Sequence, residues 1–493
     1  MENHSFGALN YIMLLVYLFA IMMVGVYFAK RQKSTEDYFK ASGRIPGWAA
    51  GISVFATTLS SITFMSIPAK AYTSDWTFLI GQYMAIAVLP IVFIYYIPFF
   101  RRLNLTSAYE YLEKRFDVRM RLFSSISFML FHIGRIAIII YLTALTLIPF
   151  IDINPLFIVF LIGVLCIVYT FMGGIEGVIW TDVIQGVMLS VAAIAIFVMI
   201  CFNVDGGLGE IYNLTASADK FFPAESFSWS WTESHVPVLI IGFLFASLQQ
   251  FTASQDVVQR YIVTESIEET KKALVMNAKL VAIVPVFFFG VGAALYAYYS
   301  QNPQLLPEDF NTGGILPFFV ISQMPAGVAG IIIAAIFAAS QSSISSSLNS
   351  ISACFTSDVY ERFGENKPAT KILFVARSVT VIAGVMGVLA SIYLIYSNES
   401  ELWDTFNSLI GLMGGPMTGL FMLGIFIKKA NANSALVGVV ASVISVLFVQ
   451  SFTDLNFFFY GVIGTLVVVI VGYLTAPLFK SKLTESKLDN LTM

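Results

Sequence analysis

Apolar residues run through this chain in long blocks separated by short polar or basic stretches. A hydrocarbon layer roughly 30 Å thick is crossed by about 20 apolar residues of helix, so each block is long enough to span a bilayer. The blocks predict helices over 8–29, 46–71, 77–100, 121–149, 155–174, 178–202, 235–260, 273–299, 326–356, 371–396, 404–427, 432–451 and 456–478. The expected fold class is an all-α integral membrane protein with about thirteen transmembrane helices, a single membrane domain over 1–493. Two connections, 203–234 and 300–325, carry some bulk, and neither is long enough for a separate domain.

Charge adds orientation. The first block has no basic segment before it and no small-residue cleavage site after it, so it is expected to remain as a helix. Lys30, Arg31 and Lys33 follow it at once, which under the positive-inside rule puts the amino terminus outside and this loop in the cytoplasm. Alternation of thirteen spans then places Arg101, Arg102, Lys114, Arg115, Arg119, Arg121, Arg260, Lys271, Lys272, Arg362, Lys367, Lys371, Lys428, Lys429, Lys480 and Lys482 on the same inner side, and the carboxyl terminus with them. Only Lys70 and Lys220 fall outside, beside an acidic stretch, Asn398-Glu399-Ser400-Glu401. Trp76, Trp229, Trp231 and Trp403 stand near outer ends of spans, where interfacial aromatics belong. The expected location is a plasma membrane.

Composition agrees with lipid as the solvent: 58% of the 493 residues are hydrophobic and 12% charged. A net charge of −3 without an extended basic patch argues against a nucleic-acid partner. Cys166, Cys201 and Cys354, like His4, His132 and His235, are scattered, so neither a disulfide framework nor a zinc site is suggested. A membrane-embedded enzyme would need clustered acids, histidines or metal ligands at depth, and a channel a continuous polar stripe on several helices; the blocks show neither.

Polar groups at depth are concentrated in five blocks. The second packs five hydroxyl residues into the seven positions from Thr57 to Thr63. Hydroxyls that bond back to helix carbonyls loosen the ladder, and a broken helix at mid-membrane exposes carbonyls that suit a desolvated sodium ion. Plain small-residue packing is the competing explanation. The seventh repeats the feature from Gly242 to Asp256, and two interrupted helices five spans apart are the trace of an inverted repeat: 46–202 answered by 235–427, with 8–29 as an extra amino-terminal helix and 432–478 as two carboxyl-terminal helices. In the ninth, with Ser342 at zero and about 100° per residue, Ser346 lies near +40°, Ser343 near +100° and Ser345 near −60°. That arc faces two neighbouring helices, so one cation on each flank is possible. Asp182 calls for a partner, a cation or the solvent at the span's end. Arg135 sits near mid-span with no acid within a turn; it matches an anionic substrate or a structural partner on another helix, and His132 reads as a packed core residue.

These features resemble the sodium:solute symporter family, of the sodium/glucose and sodium/proline type, over nearly the whole length. The most specific pieces are Met172 to Gln185, Gln255 to Tyr261 and the Ser342 to Ser347 run. Within the family the second span, Arg135 and Phe243 are most similar to the bacterial sialic acid (N-acetylneuraminate) symporters. The resemblance implies secondary active transport by alternating access in a bacterial inner membrane, with sodium (Na+) and an anionic sugar as the transported partners, by a monomeric chain that is not an enzyme. It further implies a first sodium site from the carbonyls of Ala56, Leu59 and Ala339 with the hydroxyls of Ser342 and Ser343. A second, found in some members, would use Asp182, Ser342, Ser345 and Ser346. For substrate it implies Arg135 on the carboxylate, Thr58, Ser60, Thr63 and Gln82 as polar contacts, and Phe78 and Phe243 as apolar walls and gates. Another small carboxylate, such as proline or pantothenate, is the alternative substrate.

Overall fold

The computed structural model describes residues 6–103, 105–148, 154–308, 310–364, 367–397, 402–480 and 485–493, with backbone alone at 146, 402–410 and 485–487. The acidic stretch 398–401 lies outside the described residues, and so does the side chain of Trp403.

Among the described residues the chain is helical throughout, with a single isolated bridge pairing Ile45 and Thr264. The long elements are α1 (Ala8–Ala29), α2 (Gly47–Thr58), α3 (Ser61–Thr73), α4 (Thr77–Leu103), α5 (Val118–Leu147), α6 (Pro155–Asn203), α7 (Val236–Thr252), α8 (Gln255–Ile262), α9 (Ile267–Gln301), α10 (Val328–Cys354), α11 (Ala369–Ser397), α12 (Leu402–Phe426), α13 (Ala432–Phe452) and α14 (Phe458–Thr475). Nine of the described helices are long and apolar enough to cross a membrane, or eleven if each of two bent pairs is one span. Local signals start them: Asp117 accepts from the Arg119 amide, Asn154 precedes a first-turn proline, Ser266 accepts from the Glu269 amide, and Asn431 forms a capping box with Ser434.

Where two spans were expected over 155–174 and 178–202, one helical run of 49 residues is found. Straight, it would be about 74 Å long, more than twice the hydrocarbon thickness. Gly174, at φ 54° and ψ −157°, bends it in a region of backbone space open essentially to glycine alone. A Cβ there would meet Gln32 Oε1 at 2.8 Å and Tyr38 Cδ2 at 2.9 Å. Gly174→Ala is therefore expected to destabilise the protein by about 3 kcal/mol, read as a lower thermal midpoint of the purified variant. An unchanged midpoint would mean that the bend relaxes without glycine.

The helix α10 is the axis of the bundle: every residue from Ile332 to Cys354 is buried. α1 docks along it and along α6. Asn10 Oδ1 accepts from the Gly327 and Gly330 amides at 2.6 and 3.0 Å, and Gly25 lets Tyr169 approach the backbone.

Several arginines taken from sequence as loop markers are buried instead. Arg115 donates to the carbonyls of Gly424, Ile427 and Ala430, and so satisfies the carboxyl-terminal end of α12. Arg121 pairs with Asp358 at 2.7 Å and with Glu113 at 2.9 Å, and Arg362 also pairs with Glu113 at 2.7 Å. Burial alone would raise the Glu113 carboxyl, but the hydrogen bonds and charges of the two arginines outweigh it and hold the group below its ordinary range.

Candidate functional site

The break between α2 and α3 is made by its own sequence. Thr57 and Thr58 turn their hydroxyls back onto the carbonyls of Ser53 and Phe55, at 2.8 and 2.9 Å. Leu59 and Ser60 are then extended, and the helix resumes bent by 63°. α7 and α8 meet likewise: Thr252 bonds back to Leu248, Ser254 is extended, and the bend is 48°. Carbonyls released at the first break are taken up by side chains from other helices.

The serine run of α10 faces that break. Ser342 Oγ lies 2.9 Å from the Ala56 carbonyl oxygen and 3.1 Å from that of Ala339, and Ser343 Oγ lies 3.3 Å from the Thr57 carbonyl oxygen. Of the five residues expected at the first ion site, Ala56, Ala339 and Ser342 thus meet at the Ser342 hydroxyl, and Ser343 lies against the next carbonyl of the break. Leu59 is one of the two extended residues of the break itself. Thr57 joins them, a residue that the sequence reading placed in the hydroxyl run but not at the ion site.

On the other flank, Asp182 is fully buried on α6. Its Oδ2 accepts from Ser53 at 2.6 Å, from Ser346 at 3.4 Å and from Arg260 at 2.8 Å. Arg260 is itself 0% exposed in its side chain and reaches Ser346 Oγ at 2.6 Å and Ser53 Oγ at 2.8 Å. Ser345 donates to the Ser342 carbonyl at 3.2 Å. The partner of Asp182 in this structure is thus an arginine from α8, which apolar-block counting had put at the edge of a loop. Asp182, Ser342, Ser345 and Ser346 are nevertheless all buried, and Asp182 Oδ1 has no hydrogen-bond partner.

Arg135 also has an acid that the sequence reading missed. Its Nη1 lies 3.3 Å from Asp256 Oδ2 on α8, and its Nη2 donates to the Thr57 carbonyl at 2.8 Å. Asp256 also accepts from Ser254 and from the Val257 amide. One guanidinium therefore bridges both broken spans. His132, one turn away, is buried, packed on Phe128 with the rings tilted by 34° and bonded to Ser347 at 2.9 Å, the packed core residue expected.

Thr58 and Thr63 are half-buried and Ser60 is buried; Ser60 and Thr63 hydroxyls are 3.5 Å apart. Gln82 and Phe78 are half-buried one turn apart near the start of α4. Phe78 and Phe243 meet edge to face at 6.4 Å between centroids, and Phe458, the first residue of α14, touches both, at 6.0 and 5.0 Å. Lys70 stands 5.3 Å from the Phe78 ring. This third ring was not legible as a site residue, because it opens an otherwise bland apolar block.

Residues 38–442 match the sodium:solute symporter family. The chain is 78% identical over 492 residues to a sodium/sialic acid symporter of Aliivibrio fischeri, covering 100% of this chain and 97% of that one. It is 67% identical over 480 residues to one of Proteus mirabilis, with 97% of each covered. A solved structure described as a substrate-bound, outward-open state of a Na+-coupled sialic acid symporter with a novel Na+ site is 66% identical. It superposes with a TM-score of 0.93 over 97% of this chain and 99% of that one. Mhp1, a nucleobase-cation-symport-1 family transporter at 16% identity, shares the fold with a TM-score of 0.61 over 92% of this chain and 97% of its own.

Proposed function

The chain belongs to the sodium:solute symporter family, and on that premise we propose that it carries sialic acid into the cell together with sodium by alternating access. Sodium is the coupling ion, and the chain is a multi-pass membrane transporter, not an enzyme. The observation that carries the substrate is the 78% identity to a sodium/sialic acid symporter along the full chain.

The site residues divide by chemistry. Arg135 offers a planar fork to the carboxylate of the sugar; Thr58, Ser60, Thr63 and Gln82 take its hydroxyl and amide groups; Phe78 and Phe243 close over it. The Ala56, Leu59 and Ala339 carbonyls with Ser342 and Ser343 hold a first sodium, which ties the broken span to α10. Asp182, Ser342, Ser345 and Ser346 hold a second. Sodium acts by preferring the state in which both halves of this contact are assembled, as coupling between two ligands requires. Loss of sodium on the inner side loosens the break and frees the substrate.

The finer architecture follows the same reading. Dividing α6 at Gly174 and counting α12 with the eleven apolar spans gives thirteen. We assign 46–202 and 235–427 to two inverted repeats, with 8–29 before them and 432–478 after, within one domain. The amino terminus lies outside and the carboxyl terminus inside a bacterial inner membrane, and the chain works as a monomer in the bilayer.

The test is uptake of labelled N-acetylneuraminate into proteoliposomes under an inward sodium gradient, compared with choline, with proline, glucose and pantothenate as competitors. Sodium-dependent uptake blocked only by sialic acids is expected. Two sodium ions with one monoanion move net positive charge, worth about 2.3 kcal/mol per 100 mV, so an inside-negative potential should accelerate uptake. A potential-independent rate would remove the second ion from the scheme, and block by another carboxylate would change the substrate.

A further inference from the structure

We infer that Gln185 supplies a further oxygen to the second cation site and that Tyr17, on the helix preceding the first repeat, positions it. This rests on reading Asp182 and the serines of α10 as an ion site. All the donors around Asp182 address Oδ2; Oδ1 is buried and without a partner. Gln185 lies three residues along α6, on the same face, and is 0% exposed. Its Oε1 too is buried and without a partner.

Tyr17 links the Gln185 amide to that of Gln341. Tyr17 Oη lies 2.6 Å from Gln341 Oε1, an O–H···O length, and 3.2 Å from Gln185 Nε2, an N–H···O length. As the two amides stand, the phenol proton goes to Gln341 and Gln185 gives its NH2 to Tyr17, which leaves Gln185 Oε1 and, on the far side, Gln341 Nε2 buried without partners. Tyr169 occupies the Gln341 carbonyl at 3.0 Å, so that group does not compete.

Two buried acceptor oxygens without a donor thus stand three residues apart on one helix face, one of them on the carboxylate that the Ser53 and Ser346 hydroxyls reach. A cation would satisfy both oxygens at once, and the carboxylate's charge favours it over water. Sodium fits as the ion the family couples to. Tyr17 spans 324 positions to reach Gln341, the neighbour of Ser342, so one phenol braces both walls of the site. The extra amino-terminal helix thereby acquires a role in ion binding, fastened in place by Asn10 on the start of α10.

The test is a sodium titration of purified protein, with choline holding ionic strength, followed through the thermal midpoint, together with the charge-to-substrate ratio of uptake. Gln185→Leu is expected to weaken the lower-affinity sodium step about tenfold, the size of a lost hydrogen-bond-like contact to a charge. The flux ratio at low sodium should fall toward that of Asp182→Asn. Tyr17→Phe should weaken the same step about threefold, and Gln185→Glu should tighten it. Neither loss should add to Asp182→Asn, because all three act on one ion.

If Asp182→Asn abolishes the step while Gln185→Leu and Gln185→Glu titrate like the parent, the two oxygens hold only water and the inference falls alone. Tyr17→Phe effects that add in full to Asp182→Asn would make the tyrosine merely structural. If Asp182→Asn leaves the ratio unchanged, the second ion site itself is lost. Should Gln185→Leu fail to fold, unaltered sodium affinity in both Gln185→Glu and Tyr17→Phe overturns the inference equally.

Discussion

Arg135→Ala is expected to lower uptake of the acidic sugar by about a hundredfold or more, the effect of truncating one partner of a buried charge pair. Arg135 is held by the Thr57 carbonyl and by a single 3.3 Å approach to Asp256, which leaves much of the fork's donor capacity for an incoming carboxylate. The scaffold should survive its removal, since Asp256 keeps Ser254 and the Val257 amide, and the Ser342 contacts to Ala56 and Ala339 do not involve the arginine. The sodium-dependent rise in thermal midpoint should therefore persist while uptake is lost. Arg135→Lys, which keeps the charge but not the planar fork, should fall between the two. Uptake like the parent's in Arg135→Ala would mean that the carboxylate binds elsewhere and that Arg135 serves only to bridge the two breaks.

Arg135, Asp182 and the serine run stood out in the sequence because charge and dense hydroxyls are costly in apolar blocks. Their partners did not. Arg260 and Asp256 come at the end of a block drawn as 235–260, and counting about 1.5 Å per residue along a straight helix puts such residues at the surface. The break at Ala253 and Ser254 turns the chain by 48° and keeps both residues buried. The hydroxyls that cause both breaks were visible; how a bend changes depth was not. Tyr17 and Gln341 show a different limit. A tyrosine in a 22-residue block without charge has no local mark of polar work, and its partner is 324 positions away. Phe458 is the same case for a ring contact. Long-range pairing of ordinary residues leaves no period or motif, whereas turns, breaks and rare charges do.

Arg260→Ala should make stability depend on sodium far more steeply than in the parent. In sodium-free buffer the variant leaves Asp182 buried without its cation and removes donors to Ser53 and Ser346, a loss on the order of 3–5 kcal/mol. A sodium ion can replace the lost charge at the same carboxylate. At about 100 times its dissociation constant, an ion that binds only the folded state returns about 2.7 kcal/mol. The thermal midpoint of Arg260→Ala should thus fall well below the parent's in choline and recover much of the gap in sodium. Equal destabilisation in both salts would mean that Asp182 faces no ion, and that the pair is purely structural. The expected result has a mechanistic corollary. On the proposal that Asp182 holds the second ion, arginine and sodium share one carboxylate in the parent, so that ion is held against a fixed positive charge and more weakly than Asp182 alone would hold it. A weakly held ion is the one a transporter can release into a sodium-poor compartment. Because α8 carries Arg260 and is the second half of a broken span, a shift of that half toward Asp182 would strengthen the arginine's claim and favour the ion's departure.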